Sequence, residues 1–244
     1  TDIRPAIRKA SLGSLVSPSE LLAIGQAAYG IRRLAEFMKA KTADFPLLHE
    51  LGSRLTVFRR LEDEINRCIG DEGEVLDSAS PELARIRSQI RTLQNRVREK
   101  LESILHGSQY QRILQESIIT MRNGRYVIPI KAEYRGMLSG IVHDQSGSGA
   151  TLFVEPAAVV EINNKIRQLE ADEQEEIERI LRYLSGIVAE NETELRYSLE
   201  TAGQIDFAVA KANFSHALRC VEPQLNKEGY IHIVRGRHPL LKGE

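Results

Sequence analysis

SIITMRNGRYVIPIKAEYRGMLSGIVHDQSGSGATLFVEP, residues 117–156, decides the fold. Asn123-Gly124 separates ITMR from RYVIPI. Both positions tolerate positive φ, so the pair predicts a two-residue hairpin. Tyr126, Ile128 and Ile130 alternate with Arg125, Val127 and Lys131, the period of a strand with two different faces. Ser146-Gly147-Ser148-Gly149 joins GIVHDQ to ATLFVEP as a looser second hairpin. The stretch therefore reads as four short strands. Pro129 sits in mid-strand without a donor and predicts an edge position. Pro156 closes the sheet and opens a helix.

Long amphipathic stretches flank this β insertion. Ser80-Pro81-Glu82 is a helix start, with a cap residue and proline at the first helical position. Ile86, Ile90, Leu93, Val97, Leu101 and Ile104 then share one face of a segment reaching residue 116. The returning segment, 156–201, places Ile162, Ile166, Leu169, Ile177, Ile180, Leu184, Ile187, Leu195 and Leu199 on a similar stripe, interrupted at Glu173 and Asn191. Two narrow stripes around an insertion predict an antiparallel coiled-coil hairpin. At 1.5 Å per residue the return helix would run roughly 65–70 Å and project. Charge agrees with pairing. Residues 81–116 carry seven Lys/Arg against four Glu, and residues 157–200 carry five basic against eleven acidic side chains. The fold class is mainly α, with a helical core, long antiparallel helices and a small antiparallel sheet at their tip.

The remainder reads as helices. Ser17-Pro18-Ser19-Glu20 is a capping box that opens a helix carrying Leu21, Ile24, Ala28, Ile31, Leu34 and Met38. A second helix is predicted over about 46–68, broken by Gly70-Asp71-Glu72-Gly73. Gly203 and Pro223 punctuate the C-terminal part, with a helix over 204–220 and a strand over 229–235. The two cysteines, Cys68 and Cys220, fit no metal spacing and read as buried thiols of a reducing compartment. No secretory signal or membrane-spanning run is present. The chain reads as a piece of a longer protein.

Composition excludes some functions. Net charge is −1, so overall balance announces no nucleic-acid partner. The six histidines form no HxxxH or HxH pair, and no cofactor or metal site is read. The Ser146–Gly149 run lacks the lysine and the following helix of a phosphate loop, so it reads as a turn. The acidic run 170–178 reads as a solvated helix face. Arg122, Arg125, Lys131 and Arg135 gather on the β insertion among Tyr126 and Tyr134. Two readings of these four stand: solvated strand faces, or contacts to phosphates, which supply affinity independent of sequence.

Four stretches carry a family resemblance: DIRPAIRKASLGSLVSPSELL; ESIITMRNGRYVIPIKAEYRGMLSGIVHDQSGSGATLFVEPAAVVEINNKIRQLE; DFAVAKANFSHAL; and GRHPLL. In this order they cover almost the whole chain, which resembles the bacterial MutS family, in its second paralogue outside mismatch repair. The resemblance implies a core (1–80 and 202–228), lever arms (81–116 and 156–201) and a β clamp (117–155). Residues 229–244 would begin an ATPase domain that binds ATP and Mg, followed further on by a small MutS-related endonuclease domain. It also implies a cytoplasmic homodimer, no membrane contact, and partners among branched DNA and collided ribosomes. The implied roles are suppression of recombination or ribosome rescue. The segment itself would be no enzyme and hold no cofactor. The competing reading is a coiled-coil spacer that transmits motion and touches no nucleic acid.

Overall fold

The computed structural model describes residues 2–40, 45–236 and 238. These residues are mainly helical, with one small antiparallel sheet. The chain divides into two units, Thr1–Gly25 with Asp63–Glu190, and Gln26–Glu62 with Asn191–Glu244.

The first unit is built on two paired helices, α5 (Pro81–Leu105) and α6 (Ala157–Glu190). Ser80 caps α5 by accepting a hydrogen bond from the Leu83 N–H at 3.0 Å, and Pro81 occupies the first turn. The same hydroxyl donates to Glu176 of α6 at 2.6 Å. Further along, the Arg87 guanidinium bonds Glu173 at 2.7 Å, Asp77 at 2.8 Å and the Val75 carbonyl at 2.8 Å. Rising numbers on α5 meet falling numbers on α6, so the pair is antiparallel. Glu173, which interrupts the apolar stripe, is thus the ion-pair partner of Arg87. The predicted seam is buried at Ile86, Ile90, Val97 and Leu101 of α5 and at Ile166, Leu169, Ile180, Leu184 and Ile187 of α6. Leu93 and Ile104 are only partly buried.

The sheet comprises β1 (Thr120–Arg122), β2 (Arg125–Lys131), β3 (Gly140–Gln145) and β4 (Thr151–Pro156), in the order β1-β2-β4-β3. All neighbours are antiparallel. Asn123 and Gly124 take φ of 52° and 72°, and Arg122 pairs with Arg125, so the Asn-Gly hairpin forms as read. One core joins sheet and helices: Ile128, Ile130, Leu152 and Val154 pack with Val97 and Leu101 of α5 and Val159 and Ile166 of α6. Each fully buried side chain of this size contributes roughly 1.5–3 kcal/mol. The capping box at α2 (Pro18–Lys39) also forms: the Ser17 N–H donates to Glu20 at 2.8 Å, and Lys9 of α1 (Arg4–Ser11) pairs with the same carboxylate at 2.9 Å.

The second unit contains the rest of α2, α3 (Pro46–Ser53), the start of α4 (Arg59–Cys68) and α7 (Glu192–Leu218). Glu62, nearly buried, accepts both arms of the Arg32 guanidinium at 2.9 Å. The Ser198 hydroxyl accepts from the Thr56 N–H at 3.1 Å.

Several expectations are corrected. The single helix over 46–68 is two helices, because the Thr56-Val57 region leaves the helical path and Thr56 gives its N–H to Ser198. The helix expected to reach 116 stops at Leu105, where His106 and Gly107 close it with bonds to Glu102 and Ile104. The return helix ends at Glu190, so α6 spans about 51 Å. Asn191 carries φ −108° and ψ 14°, and α7 then runs through Gly203 without a break. No strand forms over 229–235; no described segment offers these residues a ladder partner. Cys68 is buried as read, but Cys220 is exposed, just past the end of α7. Pro129 is not on an edge strand, since β2 is interior. Its carbonyl accepts from Gln115 at 3.0 Å, so its donor-free nitrogen also faces the irregular 113–115 segment and costs β4 nothing. Most of GRHPLL, residues 236–241, lies outside the described residues.

Four carboxyl groups tie this fold to pH. The Lys9 ammonium and Ser17 hold Glu20 down from 4.5 to about 2. The Arg32 guanidinium lowers Glu62, Arg87 lowers Asp77, and Arg179 with Ser80 lowers Glu176. Each is charged to lower pH when folded than when unfolded. The stabilisation is therefore complete above the ordinary carboxylate range and is lost as pH falls through the lowered values. The thermal midpoint should fall steadily from about pH 5 to about pH 3 and hold steady from about pH 6 to 8. A midpoint unchanged down to about pH 3 contradicts these pairings.

Candidate nucleic-acid interface

The four predicted cations fall at two places on the sheet. Arg122 and Arg125 face each other across the Asn123-Gly124 turn. Lys131 ends β2, about 20 Å from Arg125 at strand rise, and Arg135 follows one tight turn later. The structure therefore brings the four together as two pairs.

The hairpin pair is tied to carboxylates. The Arg122 guanidinium lies 3.2 Å from Asp144 and stacks over the Phe153 ring, 4.0 Å from its centre. Arg125 donates to Glu155 at 3.1 Å. Glu155 has 0% exposure and two further partners: His143 at 2.6 Å and the Asn163 side-chain amide at 2.7 Å. His143 occupies the irregularity between Val142 and Asp144 in the β3–β4 register. That bulge turns its ring toward β4. Asn163 also donates to the Tyr126 carbonyl at 3.3 Å, so one α6 side chain holds both β2 and β4. Arg167 of α6 leans on the turn itself. Its guanidinium lies against Gly124, where a Cβ would meet it at 2.6 Å.

The other pair is placed differently. Lys131 donates from its ammonium to the Arg112 carbonyl at 3.4 Å. Arg135 is exposed, and neither cation has a carboxylate partner among the described residues.

Sequence reading missed Glu155, His143, Asn163 and Arg167. Only Glu155 left a trace, as an acid inside the otherwise apolar strand TLFVEP. The other three are ordinary polar residues whose roles exist only once the strands and α6 meet. No group of three or more His, Cys, Asp or Glu able to hold a metal occurs among the described residues, and no described helix is long and apolar enough to cross a membrane.

No protein-family model matches the chain. Curated proteins do. The chain is 48% identical over 244 residues to Endonuclease MutS2 of Halalkalibacterium halodurans, covering 98% of this chain and 31% of that protein. It is 47% identical over 243 residues to Endonuclease MutS2 of Pelotomaculum thermopropionicum, covering 100% of this chain and 31% of that one. The protein of the same name from Bacillus velezensis is 45% identical over 244 residues, with 99% and 31% covered. The chain thus spans about a third of the length of these relatives.

Replacing Glu155 should unlock the sheet from α6. Glu155→Ala strands Arg125 and His143 beside an empty carboxylate position, a loss of about 3 kcal/mol for a buried pair whose cation can partly reach water. Glu155→Gln, which keeps an acceptor for Asn163, should recover part of this. Urea unfolding monitored by circular dichroism measures both; a loss below about 1 kcal/mol for Glu155→Ala contradicts the network's role.

Proposed function

We propose, from the premise that this chain belongs to the MutS2 family, that residues 117–155 are the clamp of a MutS2 protein and grip the phosphate backbone of nucleic acid. The observation that carries this reading is the inserted sheet itself. Four strands stand between two long paired helices, and the four cations read from the sequence lie on or beside those strands rather than in the apolar core. Basic side chains at such a surface neutralise phosphates and release counterions, which gives affinity without base reading. Branched DNA and ribosomal RNA present the same phosphodiester chemistry, so one surface serves either partner.

In this reading the α5 and α6 segments are lever arms that carry the clamp. ATP and Mg bind elsewhere in a full-length MutS2 homodimer and set the spacing of its two clamps. The relatives are named endonucleases; that chemistry belongs, in this proposal, outside residues 1–244. A dimer with two clamps at fixed spacing gains avidity that one clamp lacks. Clamping of branched DNA connects the segment to suppression of recombination, and clamping of a collided ribosome to its rescue.

The test is a quadruple Arg122, Arg125, Lys131 and Arg135 to Ala variant of a full-length MutS2 protein carrying this segment. Binding to a four-way branched DNA and to ribosomes is titrated at several salt concentrations. The slope of log affinity against log salt should fall by about 3 on at least one of the two, and affinity should drop for every DNA sequence alike. Parental slope and affinity on both partners would favour the spacer that touches no nucleic acid.

A further inference from the structure

The two cation pairs are chemically unequal, and a fifth cation joins one of them. Residues 113–115 run beside β2: the Lys131 N–H donates to the Ile113 carbonyl at 2.9 Å, and Leu114 bridges to Ile130. This lays Arg112 against Lys131, whose ammonium reaches the Arg112 carbonyl. Ile113 and Leu114 are buried, while Arg112 is exposed and has no carboxylate partner among the described residues. Arg135 stands one turn beyond Lys131, its N–H bonded to the Ala132 carbonyl. Glu133 is exposed on the same turn. Three cations against one acid leave this end with a formal charge of +2.

The second hairpin turn lies at the same end. Lys131 is opposite Thr151 in register, and the Ala132 N–H donates to the Ala150 carbonyl at 2.9 Å. Ser146–Gly149 is held by the Gly149 N–H to the Ser146 carbonyl at 2.8 Å and by the Thr151 N–H to the Ser146 hydroxyl at 3.0 Å. The Ser148 side chain is exposed on it. No helix follows, so this turn offers no helix dipole to an anion. It offers the Ser146 and Ser148 hydroxyls, 3.3 Å apart, next to Thr151, the residue opposite Lys131 in register.

We propose that this end of the sheet, built from Arg112, Lys131, Arg135 and the Ser146–Gly149 turn, is the phosphate-binding surface, and that Arg122 and Arg125 are positioning residues. The inference rests on the clamp reading and narrows it. A phosphate gains less from a cation whose charge is already answered, and takes the full pairing only by displacing the answering group. At the hairpin that means displacing Asp144 or the buried Glu155, and Glu155 left without Arg125 would be a poorly answered charge. At the Lys131 end nothing charged has to leave. Hydroxyl and guanidinium donors together suit phosphodiester oxygens.

The experiment uses the same full-length protein, with four-way branched DNA and purified ribosomes as separate probes. An Arg112, Lys131 and Arg135 to Ala triple variant should lower the salt slope by about 2–3 on the partner that the clamp grips. Its melting midpoint should stay near the parent's, since no ion pair is lost. Arg122→Ala with Arg125→Ala should lower the melting midpoint and change the slope by less than about one. Gly147→Asp tests the turn separately. A Cβ at Gly147 meets nothing within 4 Å, so the substitution adds a carboxylate without a clash. It should weaken binding several-fold with the fold intact. If the hairpin double variant takes most of the slope and the triple keeps it, this assignment is overturned while the clamp reading stands. Parental affinity in Gly147→Asp removes the turn from the surface and likewise overturns it. If the quadruple variant described above also keeps its slope, the clamp reading fails as well.

Discussion

A carboxylate shut away from water must have its charge answered inside the fold. Glu155 is such a group, and its three partners come from three different elements: Arg125 from β2, His143 from β3 and Asn163 from α6. Apolar packing would bury the sheet against the helices in many near-equivalent ways, because dispersion and hydrophobic burial have little direction. A charged, fully bonded centre admits few. The bulge at His143 carries that ring to Glu155, and the strand after the Asn-Gly hairpin and the second turn of α6 bring Arg125 and Asn163 to the same carboxylate. Specificity of this kind is a known use of buried polar groups, and here it sets how the sheet is presented by the helix.

The paired helices supply the footing. Their seam is apolar, but it is pinned along one edge by Ser80 to Glu176 and by Arg87 to Glu173 and Asp77. The same core runs on without interruption into the strands through Ile128, Ile130 and Val154. Sheet and helices are therefore one packed body within their unit, and a displacement of α6 carries the sheet with it. The Asn163 bond to Glu155 adds a polar tie to the same joint.

Local chemistry made much of this legible in the sequence. Asn123-Gly124 needs positive φ, Ser17 and Ser80 need a helix N-terminus to cap, and the stripes of α5 and α6 need a common apolar side. Each signal lies within a few residues of its effect. The misreadings arose where a tertiary partner overrode local pattern. Ile113 and Leu114 lie within the stretch expected to be helical, yet they pack beside β2 as irregular chain. Thr56 gives its N–H to Ser198, far along the chain, and splits a helix whose apolar stripe continues on both sides. Asn191 was visible as a gap in a stripe but not as a helix end. For the cations, sequence located all four on the β insertion and could not sort them. Whether an arginine is free depends on Asp144 and Glu155, whose positions come from strand register.

The central claim is that the Lys131 end of the sheet meets nucleic acid. Met137 lies two residues beyond Arg135 and is 65% exposed. A photo-crosslinking amino acid placed there in the full-length protein, irradiated in living cells, reports what that surface touches. The account predicts covalent adducts to DNA or ribosomal RNA that disappear when Arg112, Lys131 and Arg135 are replaced. Adducts to protein alone, or nucleic-acid adducts that persist without those three cations, would contradict it.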